Sequence, residues 1–298
     1  MADWRTTLGE ALAGKSAVLL LDEPLSRHTT FRIGGPADVW VEVGDESALA
    51  AVLGFCHNHR VDWHVLGRGS NVLVSDQGLR GVVVCLGLKS IEISGTEVRA
   101  GAGALLDEVA ERTVEHGLTG AEFLAGIPGT VGGALRTNAG AFGHQLSDLL
   151  ESLTVLDPAG ERREMAKSEL HTEYRKPVVR DRVVVTSVRL KLATGTPEPL
   201  SAIRAKRREK QPAEPSAGSF FKNPAGEPAG RLIERCGLKG RKVGGAQVSE
   251  KHANFLVNTG GARFGDVLEL SQIVMAKVEE ETGILLEPEV VMLPEDRR

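Results

Sequence analysis

Apolar and polar positions change period several times along the first third of the chain. Val39-Trp-Val-Glu-Val43 alternates and is β-branched, which predicts a strand. From Ser47 to His59, Leu49, Val52, Leu53 and Cys56 fall on one helical face. The strand period returns at Trp63 to Leu66 and at Val82 to Leu86, so the chain opens as a β-α-β unit. Ile91 to Ala100 predicts a hairpin turning at Gly95-Thr96, and a helix follows from Leu105 to His116 with Gly117 as its stop. Between Leu118 and Gly143 the helical period is lost and glycine dominates. Strands resume at Leu153 to Leu156 and Val183 to Leu192, and Thr194-Gly-Thr-Pro-Glu-Pro199 reads as a linker. Helices then follow from Leu200 to Lys210 and from Ala229 to Cys236. A strand at Phe255 to Val257, a long amphipathic helix from Asp266 to Glu281 and a strand from Val290 to Leu293 complete the pattern. The fold class is α+β, in two or three subdomains.

Composition narrows the function. Lys+Arg total 36 and Asp+Glu 40, giving a formal charge of −4, and aromatic residues are only 4% of the chain. An acidic balance with few stacking platforms argues against nucleic acid as a partner. No apolar run approaches the roughly 18 residues of a membrane span, and the start lacks the basic and apolar regions of a secretory leader. Cys56, Cys85 and Cys236 are scattered and odd in number, which fits buried thiols in a reducing cytoplasm rather than a disulfide framework or a metal site. His57 and His59 sit two apart on a helix, where their rings diverge, so no metal is expected there. With no apolar helix face left unassigned, a monomer is expected.

Glycine is the unusual component, at 35 of 298 residues. The sequence has no GxxxxGK[ST] loop, no HExxH and no GxSxG, and Gly101-Ala-Gly103 fails the dinucleotide fingerprint. Two glycine loops are left. Leu66-Gly-Arg-Gly-Ser-Asn71 follows a predicted strand and offers N–H groups, a hydroxyl and an amide to a phosphate, or is a plain strand-turn-strand. Ala125-Gly-Ile-Pro-Gly-Thr-Val-Gly-Gly133 continues to Thr137-Asn-Ala-Gly140 and leaves so little side-chain bulk that backbone can approach a flat ligand or a diphosphate. A third segment, Gly218-Ser-Phe-Phe-Lys-Asn-Pro224, puts Ser219, Lys222 and Asn223 within five residues, as an anion-binding turn or an ordinary exposed one.

These segments, with Thr30-Phe-Arg-Ile-Gly-Gly35 and Leu286-Glu-Pro-Glu-Val290, resemble in type and order the UDP-N-acetylenolpyruvoylglucosamine reductase family, also called UDP-N-acetylmuramate dehydrogenase. The resemblance runs from about Leu25 to Leu293. It implies a cytoplasmic flavoenzyme in which NADPH reduces FAD and the flavin passes hydride to the enolpyruvyl ether of UDP-N-acetylglucosamine enolpyruvate. It implies an FAD-binding fold of the vanillyl-alcohol oxidase type over 1–80 and 81–195 and a substrate domain over 200–289, with the strand 290–298 returning to the first. With no tyrosine between Arg175 and Lys210, the chain resembles the shorter subclass that lacks a tyrosine loop.

The resemblance also assigns residues. Gly67, Arg68, Gly69, Ser70, Asn71, Gly126, Ile127, Gly129, Thr130, Gly132, Gly133, Asn138, Ala139 and Gly140 would hold FAD, with Arg207 as a further phosphate contact. Lys210, Lys222 and Asn223 would meet the substrate or NADPH. Hydride addition to C3 pushes charge onto the substrate carboxylate and a proton must then reach C2, so charge-stabilising groups and an acid are needed. Arg175, Glu289 and Ser219 match these roles, with Arg180 and Arg182 competing with Arg175, Glu287 competing with Glu289, and Tyr174 read as structural. Neither glycine loop contains a histidine or cysteine to tether flavin, so FAD is expected to be non-covalent. The rival readings are another FAD-dependent oxidoreductase of the same fold acting on an alcohol or hydroxy acid, and a nucleotide-binding module without catalysis.

Overall fold

In a computed structural model of the chain, residues 3–173, 175–179 and 182–294 are described. Tyr174 and Arg180 lie outside them. The chain divides into two compact units. One contains the chain through Glu23, Asp38–Arg68 and Arg80–Ala205; the other contains Pro24–Ala37, Gly69–Leu79 and the chain from Lys206 onward.

The first unit opens on a four-stranded sheet in the order Ala17–Pro24, Pro36–Val43, Leu79–Leu86, Trp63–Val65. The helix Glu46–His59 starts where the Asp45 carboxylate accepts from the Ala48 N–H at 2.8 Å and ends on Arg60 in the left-handed region. Its Leu49, Val52, Leu53 and Cys56 are buried as the period requires, and they pack with Val39, Val41, Val82 and Val84. The strands on either side of this helix are not neighbours in the sheet, because Leu79–Leu86 lies between them and runs parallel to Trp63–Val65.

A second sheet in this unit is antiparallel, in the order Arg162–Ala166, Leu150–Leu156, Val184–Lys191, Glu97–Gly101, Ile91–Ser94. Helix Leu106–Glu115 buries Leu106, Val109 and Ala110 in the core of this sheet. The same core takes up Val131, Ala134 and Leu135 from a helix Val131–Thr137, in a stretch where the sequence pattern predicts none. The Thr130 hydroxyl accepts from the Gly133 N–H at 3.2 Å and caps that helix, and burial of its apolar face offsets the low helix propensity of Gly132 and Gly133.

The second unit has a four-stranded sheet in the order Ser216–Ser219, Phe255–Asn258, Ala246–Val248, Lys242–Val243. Helix Phe264–Thr282 buries Val267, Leu270, Val274 and Val278 in a core that also contains Phe31, Ile33, Leu73, Phe220 and Phe221. The last strand, Val291–Leu293, pairs in parallel with Val72–Val74.

Candidate active site

The first glycine loop leaves the end of Trp63–Val65, and the Leu66 N–H still donates to Val84 O at 2.9 Å. A Cβ at Gly67 would lie 2.6 Å from the Thr130 hydroxyl, so a larger residue there would push aside the side chain that caps helix Val131–Thr137. Gly69 adopts φ +59, and a Cβ at that position would lie 2.3 Å from His28 O. Arg68 is exposed, Gly69 is buried, and Ser70 and Asn71 are half-buried. None of the N–H groups from Gly67 to Asn71 donates to another described residue. A run of consecutive uncommitted amides suits an anionic group such as a diphosphate.

The second loop is built differently. Gly126 N–H donates to Asp107 Oδ1 at 2.7 Å, Gly129 N–H to Ile127 O at 2.8 Å, Val131 N–H to Ala104 O at 2.9 Å and Gly132 N–H to Ala102 O at 2.8 Å. Gly133 donates to Thr130 and Ala139 to Ala134 O. Most of its donors are thus spent on the protein, and what it offers a ligand is close approach rather than hydrogen bonds. Acids hold its N-terminal end and the segment just before it. Asp107 and Glu111 hold Arg204, the Nη2 atom lying 2.9 Å from Asp107 Oδ2 and 2.5 Å from Glu111 Oε1. Burial works to raise the pKa of Glu122, but hydrogen bonds from Thr119 Oγ1 at 2.6 Å and Gly120 N–H at 2.5 Å outweigh it and hold this carboxyl below the usual range.

Arg175 sits at φ +54 and reaches the far end of this loop, with Nη1 donating to Asn138 O and Nη2 to Gly140 O, both at 3.2 Å. Asn138 is fully buried, and its side chain is committed to Ser147, Thr172 and Glu173. That position therefore meets a ligand only through its main chain. Arg182 stacks over the Trp63 ring, 5.1 Å from its centroid, leaving Arg175 as the described arginine of the stretch that contacts the glycine loop.

In the second unit, three distant segments converge on the stretch that carries Ser219. Phe220 and Phe221 are each 1% exposed, so the segment Gly218 to Pro224 is anchored in the core rather than lying as an exposed turn. Asn254, itself buried, accepts from Phe221 N–H at 3.0 Å and donates to Phe221 O at 2.8 Å. Glu289 N–H donates to Phe220 O at 2.8 Å, and Lys222 N–H donates to Glu287 O at 2.8 Å, so Ser219 and Glu289 flank one short antiparallel bridge. Thr30 ties in the first loop: its N–H donates to Gly69 O at 3.2 Å and its hydroxyl to Ser216 O at 2.7 Å. Neither Thr30 nor Asn254 is singled out by the sequence as a candidate, although Thr30 begins one of the five segments.

The remaining candidates are spread out. Lys222 is paired with the Glu287 carboxylate, and Asn223 Oδ1 accepts from Ala229 N–H at 3.1 Å, at the start of helix Ala229–Arg235. Helix Leu200–Lys210 carries half-buried Arg207 and exposed Lys210. Among the described residues no group of three or more His, Cys, Asp or Glu is placed to hold a metal ion, and no helix is long and apolar enough to cross a membrane.

The family model described as an FAD binding domain matches residues 37–166, and the C-terminal domain of UDP-N-acetylenolpyruvoylglucosamine reductase matches residues 211–293. The reductase of that name from Caldanaerobacter subterraneus subsp. tengcongensis is 42% identical over 288 residues, covering 94% of this chain and 95% of the relative. That of Listeria monocytogenes serotype 4a is 41% identical, covering 93% and 95%. Among solved structures, UDP-N-acetylenolpyruvylglucosamine reductase from Thermus caldophilus superposes with a TM-score of 0.79 at 37% identity, covering 94% of this chain and all of that one. A glucose dehydrogenase, Phl p 4.0202, superposes over 64% of this chain and 44% of its own, with a TM-score of 0.50 at 13% identity, which is a likeness of fold alone.

Proposed function

The chain belongs to the UDP-N-acetylenolpyruvoylglucosamine reductase family, and we propose from the arrangement above how its residues serve that reaction. It is an FAD flavoenzyme with NADPH as co-substrate, and it reduces UDP-N-acetylglucosamine enolpyruvate to UDP-N-acetylmuramate for peptidoglycan precursors. When bound, FAD supplies the hydride relay from NADPH to C3 of the enolpyruvyl group. The uncommitted amides of Gly67 to Asn71 carry the reading that this loop holds the FAD diphosphate. Gly126 to Gly133 and Gly140 supply the smooth surface against which the cofactor lies without a covalent tether.

Charge develops on the substrate carboxylate as C3 gains hydride, and fixed donors at that point lower the barrier most. Arg175 supplies a permanent cation, held in orientation by the carbonyls of Asn138 and Gly140. Glu289, in its protonated form, donates a hydrogen bond to the same developing charge. The Ser219 hydroxyl delivers the proton to C2, from a backbone fixed by the buried Phe220 and Phe221. Lys210 and Asn223 take the anionic sugar nucleotide or NADPH, and Arg207 takes a cofactor phosphate. Lys222, ion-paired with Glu287, sets the charge of the turn.

The three hydrophobic cores support a three-part division into two FAD-binding subdomains and a substrate domain. The reading extends to a cytoplasmic monomer of the shorter subclass, whose partners are small molecules.

The half-reactions test it. In Ser219→Ala, NADPH should bleach the flavin at close to the parent rate, while reoxidation by the enolpyruvyl substrate should fall roughly 10²–10⁴-fold, the usual worth of a positioned acid. Stopped-flow absorbance reads both steps on one sample. Equal slowing of both would remove the proton-donor role from Ser219.

A further inference from the structure

The loop from Gly69 to Asn71 does more than present amides. Asn71 faces the C-terminal segment with both its side chain and its carbonyl. Its Nδ2 donates to Glu289 O at 3.1 Å, and its main-chain O accepts from Val291 N–H at 3.0 Å. On the other side of the same residue, Glu289 N–H donates to Phe220 O at 2.8 Å. The main chain of Glu289 is therefore held at both polar groups, the carbonyl by the glycine loop and the amide by the segment that carries Ser219.

We propose that Asn71 is a positioning residue for Glu289, its side-chain amide fixing the backbone that carries this acid instead of contacting a cofactor phosphate. The assignment rests on the role given to Glu289 above. The loop then divides its work: backbone N–H groups face the cofactor, and the one long polar side chain of Gly69 to Asn71 faces the acid. The chemistry of asparagine fits this position. A planar NH₂ donor satisfies a carbonyl acceptor, where an aspartate would set a carboxylate against it. A displacement of about 1 Å at a reacting group costs up to about 10²-fold in rate, so a single hydrogen bond on this backbone has catalytic weight.

Asn71→Ala tests the proposal beside Glu289→Gln and the double variant. The FAD dissociation constant of flavin-stripped protein, measured by titration, should stay within about threefold of the parent, and bleaching by NADPH likewise. Reoxidation by the enolpyruvyl substrate should fall roughly 10- to 100-fold. The double variant should be within about twofold of Glu289→Gln alone, because the two residues act as one unit. Hydrogen exchange across 286–293 in FAD-loaded protein should quicken in Asn71→Ala. A tenfold or greater loss of FAD affinity with equal slowing of both half-reactions would overturn the proposal, as would rate effects that multiply. If Glu289→Gln proves harmless, the acid assignment falls. In that event quickened exchange would still support the hold of Asn71 on this segment, and unchanged exchange would remove it.

Discussion

Asn254 offers the most quantitative check on how the Ser219 segment is held. It is 3% exposed and gives both polar side-chain atoms to Phe221, which is 1% exposed. Asn254→Ala removes the acceptor of the Phe221 N–H and the donor to the Phe221 carbonyl at once. Each buried group left without a partner costs about 1–3 kcal/mol, so the variant should lose about 2–6 kcal/mol of stability. Asn254→Asp sharpens the test through pH. Its carboxylate would accept from the N–H but oppose the carbonyl, whereas the protonated acid donates to that carbonyl. The folded-state pKa is thereby raised above the free value of about 3.9, and the folded state keeps a proton that the unfolded chain releases. Relative to the parent, Asn254→Asp should be most stable at or below about pH 4 and lose stability as pH rises toward its folded pKa. Urea unfolding followed by far-UV circular dichroism, with free FAD held constant, measures both effects. A loss under about 1 kcal/mol in Asn254→Ala, or a stability of Asn254→Asp relative to the parent that is equal at pH 4 and pH 8, would refute the reasoning.

Two further outcomes are expected. Glu289→Gln should cut turnover at least about tenfold with FAD content intact, while Glu287→Gln, which loses only an ion pair at an exposed position, should stay within about twofold; the reverse order would mean that the acid has been misassigned. Burial pushes the thiol of Cys56 up to about 12 and that of Cys85 up to about 11, so at pH 8 only about one Cys85 in 10³ is thiolate, against roughly one in four for a free thiol. Both should react with a disulfide reagent far more slowly in native than in urea-unfolded protein. Because the folded state keeps these protons while the unfolded chain releases them, stability should fall as pH rises above about 9. Native labelling as fast as unfolded labelling would contradict this.

The elements that sequence patterning locates well are those whose own residues decide them. Helix Glu46–His59 has an Asp45 cap and an apolar stripe, and helix Leu200–Lys210 is bounded by Pro199 and closely followed by Pro212. The helix Val131–Thr137 is different. Its glycines argue against it locally, and it forms because its apolar residues complete a core assembled from distant strands. Strand Arg162–Ala166 escapes for a related reason: four of its five residues are exposed, so it carries no apolar alternation to read.

The candidate site divides in the same way. Its segments are visible as motifs, but the use made of each group depends on partners far away in sequence. The two glycine loops look alike in composition, yet the amides of one are uncommitted among the described residues while most of the other's donate to acceptors of the protein itself, Ala102, Ala104 and Asp107 among them. Within Gly218 to Pro224 the hydroxyl of Ser219, the cation of Lys222 and the amide of Asn223 read as one cluster. The structure instead turns Phe220 and Phe221 into the core, pairs Lys222 with Glu287 and spends Asn223 on the helix that follows. Ser219 is left at the end of its strand, where Asn254 and the Glu289 backbone fix its neighbours. A motif of this kind is mostly scaffold around one reactive atom. Substitutions at Phe220, Phe221 or Asn254 should therefore mimic loss of Ser219 in the substrate half-reaction while leaving flavin reduction intact.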